Sequence, residues 1–152
     1  MADIVDPETR SRMMRGIRGA NTKPEINVRR RLHAAGFRYG LHRNDLPGRP
    51  DLVMPRHDAV IFVHGCYWHR HPGCRLATTP STRTDFWTAK FAANQERDRR
   101  NAADLHDKGW RVAIIWECEV RTASNADEAV RELIEWLLSN RGFVEIPHTA
   151  RP

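Results

Sequence analysis

The run Val60-Ile61-Phe62-Val63-His64-Gly65-Cys66-Tyr67-Trp68-His69-Arg70-His71-Pro72-Gly73-Cys74 constrains the fold more than any other part of the chain. It opens as a strand too continuously apolar to keep one face in water, which places that strand in the middle of a sheet. It then breaks into a knuckle of cysteines, histidines and aromatic rings, so these potential ligands emerge at the end of a central strand. Just upstream, Leu46-Pro47-Gly48-Arg49-Pro50-Asp51-Leu52-Val53-Met54 turns and delivers a single carboxylate to the start of another apolar strand. The net charge of +6 adds a polyanionic partner to the expectation, because Lys and Arg gain affinity by releasing counterions from phosphates. Together these features point first to chemistry on nucleic acid, whereas charge alone would fit a merely soluble basic protein equally well.

A chain of 152 residues suits one domain with a core of its own, needing no disulfide staples. Its three cysteines cannot all pair with one another, and the first 18 residues are too polar for a signal peptide, so a reducing cytoplasm with metal-bound thiolates is expected. No apolar run approaches the roughly 18 residues that a membrane span requires. The protein is expected to be soluble, with no membrane partner.

Asp6-Pro7 offers a cap and a proline in the first turn for a short helix to about Arg15. Thr22-Lys23-Pro24-Glu25 fits a capping box for a second helix running to Gly36, with Val28, Leu32 and Ala35 on one face and Arg29, Arg30 and Arg31 on the other. Period-two alternation from Phe37 to His42 reads as a strand with one wet face. Leu52–Met54 and Ala59–His64 read as an antiparallel hairpin across Pro55-Arg56-His57-Asp58. Thr84 is the expected cap of a long helix from Asp85 to about Lys108, with Phe86, Trp87, Phe91 and Leu105 among its apolar positions. Trp110 to Cys118 reads as another buried strand, and Ala126 to Leu138 as an amphipathic helix with Val130, Leu133, Ile134 and Leu137 inward. Residues 141–152 look like a loose C-terminal tail after a single domain over 1–140, whose first 20 residues form an arm. The expected fold is α/β or α+β, a mixed central sheet flanked by helices.

Cys66-x4-His71-x2-Cys74 supplies three ligands at spacings short enough to converge, and Cys118 at a strand end can supply the fourth. Three cysteines and a histidine make a closed tetrahedral zinc site of structural type, and it uses every cysteine in the chain. The alternatives are three buried cysteines acting as small apolar residues, and a catalytic zinc on His64, His69 and His71. The latter has an unfamiliar spacing and leaves Cys66 and Cys74 without a role.

Asp51 suits Mg²⁺, which prefers carboxylate oxygens, waters and substrate phosphates, although a lone Asp after Gly-Arg-Pro is also an ordinary turn residue. His64 and His69 remain once the zinc is satisfied, and a near-neutral histidine can take a proton from an attacking water. Asp98, Glu96 and Glu25 are candidate partners for this acid and histidine set, each otherwise a solvated helix-face charge. Tyr67, Trp68 and Trp87 either wedge between bases or pack over the zinc site as a small core. Arg83, Lys90, Arg97, Arg99 and Arg100 would form a basic helix face beside them.

The order of these motifs resembles the very-short-patch repair (Vsr-type) DNA mismatch endonucleases. The resemblance spans roughly Asp6 to Leu138 and is carried by Leu46–Asp51, His64–His69, Thr82-Arg83-Thr84-Asp85-Phe86-Trp87, Asn94 with Glu96–Arg100, Gly109-Trp110-Arg111-Val112 and Trp116-Glu117-Cys118. It implies a restriction-endonuclease-like fold and a nick on the 5′ side of the thymine in a T·G mismatch, the lesion left by deamination of 5-methylcytosine. It implies Mg²⁺ at Asp51 and the Val63 backbone carbonyl, His69 as general base oriented by Asp98, and His64 and Glu25 supporting the phosphate and metal-bound waters. Zinc at Cys66, His71, Cys74 and Cys118 would be structural. Tyr67, Trp68 and Trp87 match an aromatic wedge, Met14 a residue approaching from the opposite groove, and Lys90 and Asn94 positions that contact the mismatched bases. The implied protein is a cytoplasmic monomer acting on double-stranded DNA, linked to a DNA cytosine methyltransferase and to mismatch-repair proteins.

The chain departs from the family pattern in three places. Val63 replaces a threonine, which leaves the carbonyl but no hydroxyl. Tyr67 replaces a phenylalanine, and the zinc loop has one extra residue before Cys74. The second acid and lysine of ordinary nucleases are also absent, with Phe62-Val63-His64 in their place, as befits a histidine-based variant. A restriction-type enzyme cutting intact sites and a non-catalytic zinc-stabilised DNA-binding module are the rival readings. Mg²⁺-dependent nicking separates enzyme from binder, and mismatched against paired DNA separates the two enzymes.

Overall fold

The computed structural model describes residues 21–147. The helix expected over Asp6 to Arg15, and Met14 within it, lie outside the described residues.

Helix α1 spans Lys23–Ala34. Thr22 caps it by accepting the Glu25 N–H, while Glu25 reaches back to the Asn21 N–H, one residue before the partner a capping box uses. Val28 and Leu32 are fully buried, but Ala35 is exposed because the helix has ended before it. Strands β1 (Gly40–Leu41), β2 (Leu52–Met54) and β3 (Ala59–His64) follow. The expected strand from Phe37 to His42 is thus reduced to two residues. It stops at His42, which adopts a left-handed backbone with φ 50°. The hairpin of β2 and β3 forms as expected, with Leu52 opposite Ile61 and a short 3-10 turn over Pro55–His57.

Helix α2 covers Thr84–Asp107, strand β4 Arg111–Trp116 and helix α3 Ala123–Leu137. Thr84 is not the cap of α2. That position is taken by Arg83 in a left-handed conformation, and the Thr84 hydroxyl donates back to the Pro80 and Ser81 carbonyls instead. The strand expected to reach Cys118 ends at Trp116 and continues as a 3-10 turn over Glu117–Glu119. Thr122 caps α3 by accepting the Asn125 N–H.

Phe143–Ile146, expected in a loose tail, forms strand β5 parallel to β4. Val144 and Ile146 are buried, and this apolar gain outweighs the disorder that the polar flanks suggest.

The sheet runs in the order β1-β2-β3-β4-β5, antiparallel through β3 and parallel from β3 to β5. Side chains alternate across it. Leu52, Met54, Ala59, Ile61, Ala113 and Ile115 face α1 and α3, and Val53, Val60, Phe62 and Val112 pack with Leu105 of α2. The sheet is therefore covered on both sides, and β3 is central. Helix α2 buries only Phe91 and Leu105 among its 24 residues, leaving a long polar surface beside the end of β3. Among the described residues no helix is long and apolar enough to cross a membrane.

Candidate active site and metal centre

Because β2 and β3 are antiparallel, the start of β2 and the end of β3 lie at the same edge of the sheet. A cavity of about 700 Å³ opens there, its wall formed by Glu25 of α1, Gly48, Arg49 and Asp51 of the turn before β2, residues 62–65 and 67–69, and Asn94, Arg97 and Asp98 of α2. Five of the proposed catalytic positions, Asp51, His64, His69, Asp98 and Glu25, line it.

Asp51 accepts the Val63 N–H at 2.7 Å through its carboxylate. Continuing the β2–β3 register by two residues sets Pro50 opposite Val63, in the position that would complete the hydrogen-bonded pair. Pro50 has no N–H to donate. The Val63 carbonyl lies on the same side of its strand as the N–H that reaches Asp51, so it faces the carboxylate without a ladder donor. Burial drives the Asp51 pKa up from 3.8 to about 7, opposed by the Val63 N–H and reinforced by the nearby Glu25 charge. His42 and His69 oppose this rise, and a divalent cation held between Asp51 and the carbonyl would oppose it further.

Glu25 is almost fully buried, yet it has ample partners. Its Oε2 accepts from His42 Nε2 at 2.7 Å and Arg29 Nη1 at 2.9 Å, and its Oε1 from the Asn21 N–H. The His42 backbone N–H also donates to the Asp51 carbonyl at 3.2 Å. His42 therefore ties the two acids together, and ligand atoms of Glu25, His42 and Asp51 lie within 4.8 Å of one another. Sequence reasoning missed His42. No local pattern marks it, since its partner is 17 residues away on another element.

His69 Nδ1 lies 2.6 Å from Asp98 Oδ2. A carboxylate only accepts, so Nδ1 carries the proton and Nε2 of the neutral ring is left as a base. His64 stacks on His69 with centroids 3.9 Å apart and planes within 4°. It is buried, and burial followed by the nearness of His69 lowers its pKa well below the ordinary value, which keeps the ring neutral. Its Nδ1 finds no hydrogen-bond partner among the described residues. Glu96, the other acid considered on α2, pairs instead with Arg99 at 3.5 Å and does not line the cavity.

Cys66, His71, Cys74 and Cys118 present ligand atoms within 4.8 Å of one another. His71 Nδ1 lies 3.7 Å from Cys66 Sγ and 3.5 Å from Cys118 Sγ. A tetrahedral zinc with ordinary Zn–S and Zn–N bonds separates such atoms by roughly 3.6 Å, so the donor set fits that ion in both kind and spacing. Without a cation, burial raises the Cys66 and Cys118 thiols, the latter to about 11, and the neighbouring thiols add to the rise. His71 joins this group rather than His64 and His69, so the trio required for a catalytic zinc does not assemble.

Trp116 separates the two centres. It stacks on His71 at 4.4 Å, meets His64 edge-on at 5.2 Å, and donates its indole N–H to Glu145 of β5 at 2.7 Å. Glu117, also missed from the sequence, accepts the Cys66 N–H at 2.9 Å while lining the cavity, and so links the knuckle to the site.

Tyr67, Trp68 and Trp87 do not pack over the metal cluster. They gather half-buried around Phe91 of α2, with Tyr67 5.0 Å from Trp68, Trp68 6.3 Å from Trp87 and exposed Phe86 beside Trp87. Asn94 donates to the Trp68 carbonyl at 3.3 Å, holding this cluster at the cavity wall. Lys90, one turn earlier on α2, is half-buried.

A cavity at the edge of a mixed sheet, bearing a partly buried carboxylate, a histidine–aspartate pair and a nearby cluster of metal-ligating side chains, has the groups of a hydrolase site that could hold a metal ion. Comparisons with known proteins agree. The family described as DNA mismatch endonuclease Vsr matches residues 2–75. A type II nicking enzyme of Xanthomonas oryzae pv. oryzae, V.XorIIP, is 45% identical over 135 residues, 89% of this chain and 98% of that protein. The DNA mismatch endonuclease Vsr of Escherichia coli K12 is 43% identical over 148 residues, 96% of this chain and 94% of that one. A type II nicking enzyme of Neisseria meningitidis serogroup A, V.NmeAIP, is 37% identical over 88% of this chain and 95% of its own. The chain belongs to the Vsr family, and it is a DNA endonuclease of the strand-nicking kind.

Proposed function

We propose that this enzyme is a Mg²⁺-dependent mismatch endonuclease that nicks one strand on the 5′ side of the thymine in a T·G pair and so starts very short patch repair. The observation that carries this reading is the meeting of Asp51, the Val63 strand end and the His69–Asp98 pair in one cavity bordered by half-exposed rings.

Asp51 and the Val63 carbonyl would hold Mg²⁺, which would supply polarisation of the scissile phosphate. His69 Nε2 takes the proton of the attacking water, while Asp98 fixes the ring and stabilises the imidazolium that forms. His64, kept neutral by burial, and Glu25, anchored by His42 and Arg29, orient the phosphate and its waters. The water oxygen bonds to phosphorus as the strand-forming P–O bond breaks and its electron pair leaves on the departing sugar oxygen. Zinc on Cys66, His71, Cys74 and Cys118 holds the knuckle that carries His69.

Tyr67, Trp68 and Trp87 insert beside the mismatch, where an unstable pair is cheaper to unstack than a matched one. Met14 approaches from the opposite groove, and Lys90 and Asn94 contact the mismatched bases. The protein acts as a cytoplasmic monomer, alongside a DNA cytosine methyltransferase and mismatch-repair proteins.

The test compares cleavage of T·G and T·A duplexes of the same sequence, with and without Mg²⁺. Nicking of the thymine strand confined to T·G with Mg²⁺ is the expected result. Equal cutting of both duplexes, or double-strand cleavage, would overturn it.

A further inference from the structure

Several arginines have a structural use. Arg29 holds Glu25, Arg31 holds Asp127, Arg70 binds the Tyr67, Ala77 and Thr78 carbonyls, and Arg111 binds carbonyls at the end of α3. Arg49 and Arg97 differ. Each is exposed, each lines the active-site cavity, and neither has an ion-pair or hydrogen-bond partner through its side chain among the described residues. Their isolation is not for want of acids. Arg49 stands two residues from Asp51 and Arg97 beside Asp98, yet Asp51 engages the Val63 N–H and Asp98 engages His69.

The backbone is bent to bring them to the same wall. Gly48 lies so close to α2 that a Cβ there would stand 3.0 Å from the Asn101 side chain, and its φ of 76° adds a second reason for glycine. This approach seats the Gly48–Pro50 turn one helical turn beyond Arg97, because Asn101 is at i+4. Arg49 then takes a left-handed conformation, φ 48°, which an L residue with a long side chain adopts only under constraint. A glycine or asparagine would sit there with less strain.

We propose that Arg49 and Arg97 form a two-arginine clamp on a DNA phosphodiester next to the scissile one, one arginine from the turn before β2 and the other from α2. Guanidinium groups suit this ligand because their planar forks pair with two phosphate oxygens at once. Gripping a phosphate that does not react, the clamp sets the register of the strand against Asp51 and His69 and carries no base preference. It rests on the nicking-endonuclease reading only for the identity of the ligand as DNA.

The experiment uses the full-length zinc-loaded protein with Arg49→Gln, Arg97→Gln, the double variant and Arg49→Gly. Binding to T·G and to paired duplexes is measured by fluorescence anisotropy across a KCl series. Because both guanidiniums neutralise the same phosphate, the double variant should lower the slope of log K against log[salt] by about 0.9 and each single variant by part of that, equally on both duplexes. On T·G substrate each glutamine variant should raise KM by about 5–20-fold, with the smaller part of the loss in kcat, as expected for an interaction made in ground and transition states alike.

Single methylphosphonate substitutions near the nick then locate the gripped phosphate. At one flanking position the neutral linkage should weaken the parent enzyme about tenfold and the double variant hardly further. Arg49→Gly should melt no lower than the parent while binding more weakly, which separates the clamp from any role in folding. An unchanged salt slope in the double variant, or additive losses at every methylphosphonate position, would overturn the clamp. Failure of T·G preference in the parent enzyme would instead refute the mismatch reading and leave the salt and methylphosphonate results interpretable on whichever duplex binds.

Discussion

Asp51→Asn should stabilise the magnesium-free protein while abolishing its nicking activity, and the gain should grow with pH. Asp51 has a folded-state pKa of about 7 against an ordinary 3.8, with burial as the main cause. Between those values the folded chain keeps a proton that the unfolded chain has released, so the parent loses stability as pH rises through the window, and above about 7 the loss is complete. At about 1.36 kcal/mol per unit, the full interval corresponds to ~4 kcal/mol as an upper bound. Asparagine carries no charge to desolvate, but its carbonyl accepts the Val63 N–H less strongly than a carboxylate does, so about half of that gain is expected. Urea unfolding followed by tryptophan fluorescence, at fixed zinc and without magnesium, should give a variant-minus-parent difference that grows by about 1–3 kcal/mol between pH 5 and 8. Titrating groups remote from Asp51 are common to both proteins and cancel, whereas Glu25, His42 and His69 interact with its charge and contribute to the difference. Adding millimolar Mg²⁺ should stabilise the parent and not the variant, because only the parent binds it. A difference that stays flat with pH, or a variant less stable than the parent at pH 8, would show that Asp51 carries no unmet charge and would remove the physical case for a cation there.

His69→Ala should reduce single-turnover nicking by about 10²–10⁴ with little change in DNA affinity, and Asp98→Asn should fall part of the way, because it disturbs only the ring's tautomer and orientation; near-normal rates in either would reject His69 as base. Metal analysis should find one zinc per chain, and Cys118→Ser should lower both zinc content and melting temperature as Cys66→Ser does, since binding and folding are coupled. The Trp68→Ala, Trp87→Ala double variant should lose preference for T·G over paired duplex, measured by competition binding, while a full preference would return the rings to a packing role. His42→Ala should weaken Mg²⁺ activation, seen as a higher Mg²⁺ concentration for half-maximal rate with His42→Gln restoring part of it, because Gln can still donate to Glu25.

Much of the metal centre was legible in the chain, because three of its ligands fall within nine residues and thiolate and imidazole chemistry admits few alternatives. The hairpin, the central position of β3 and helix α3 followed from apolar periodicity, and α1 also from a cap whose donor lies three residues away. Helix α3 starts at Ala123 rather than Ala126 because Thr122, not read as its cap, begins it. Where local signals competed, they misled. Thr84 has the chemistry of a cap and Arg83 does not, yet the chain enters α2 through Arg83, and Thr84 turns its hydroxyl back to the preceding carbonyls. Phe143–Ile146 has too few apolar residues to announce a strand, and only β4, supplied by residues about 30 positions earlier, makes it one.

Tertiary structure also decided what the site's residues are. Asp51 is an ordinary acid in sequence and acquires its pKa of about 7 from burial beside Glu25. Glu25 itself looked like a helix-face charge until His42 and Arg29 closed on it. The aromatic rings had two readings from composition, and their gathering on Phe91 rather than around the cysteines removes the one in which they pack over the metal ligands. The division has one physical cause: ligand identity and helix caps depend on atoms a few bonds or one turn apart, whereas desolvation, charge coupling and ring packing depend on atoms that only the folded sheet brings within a few ångströms.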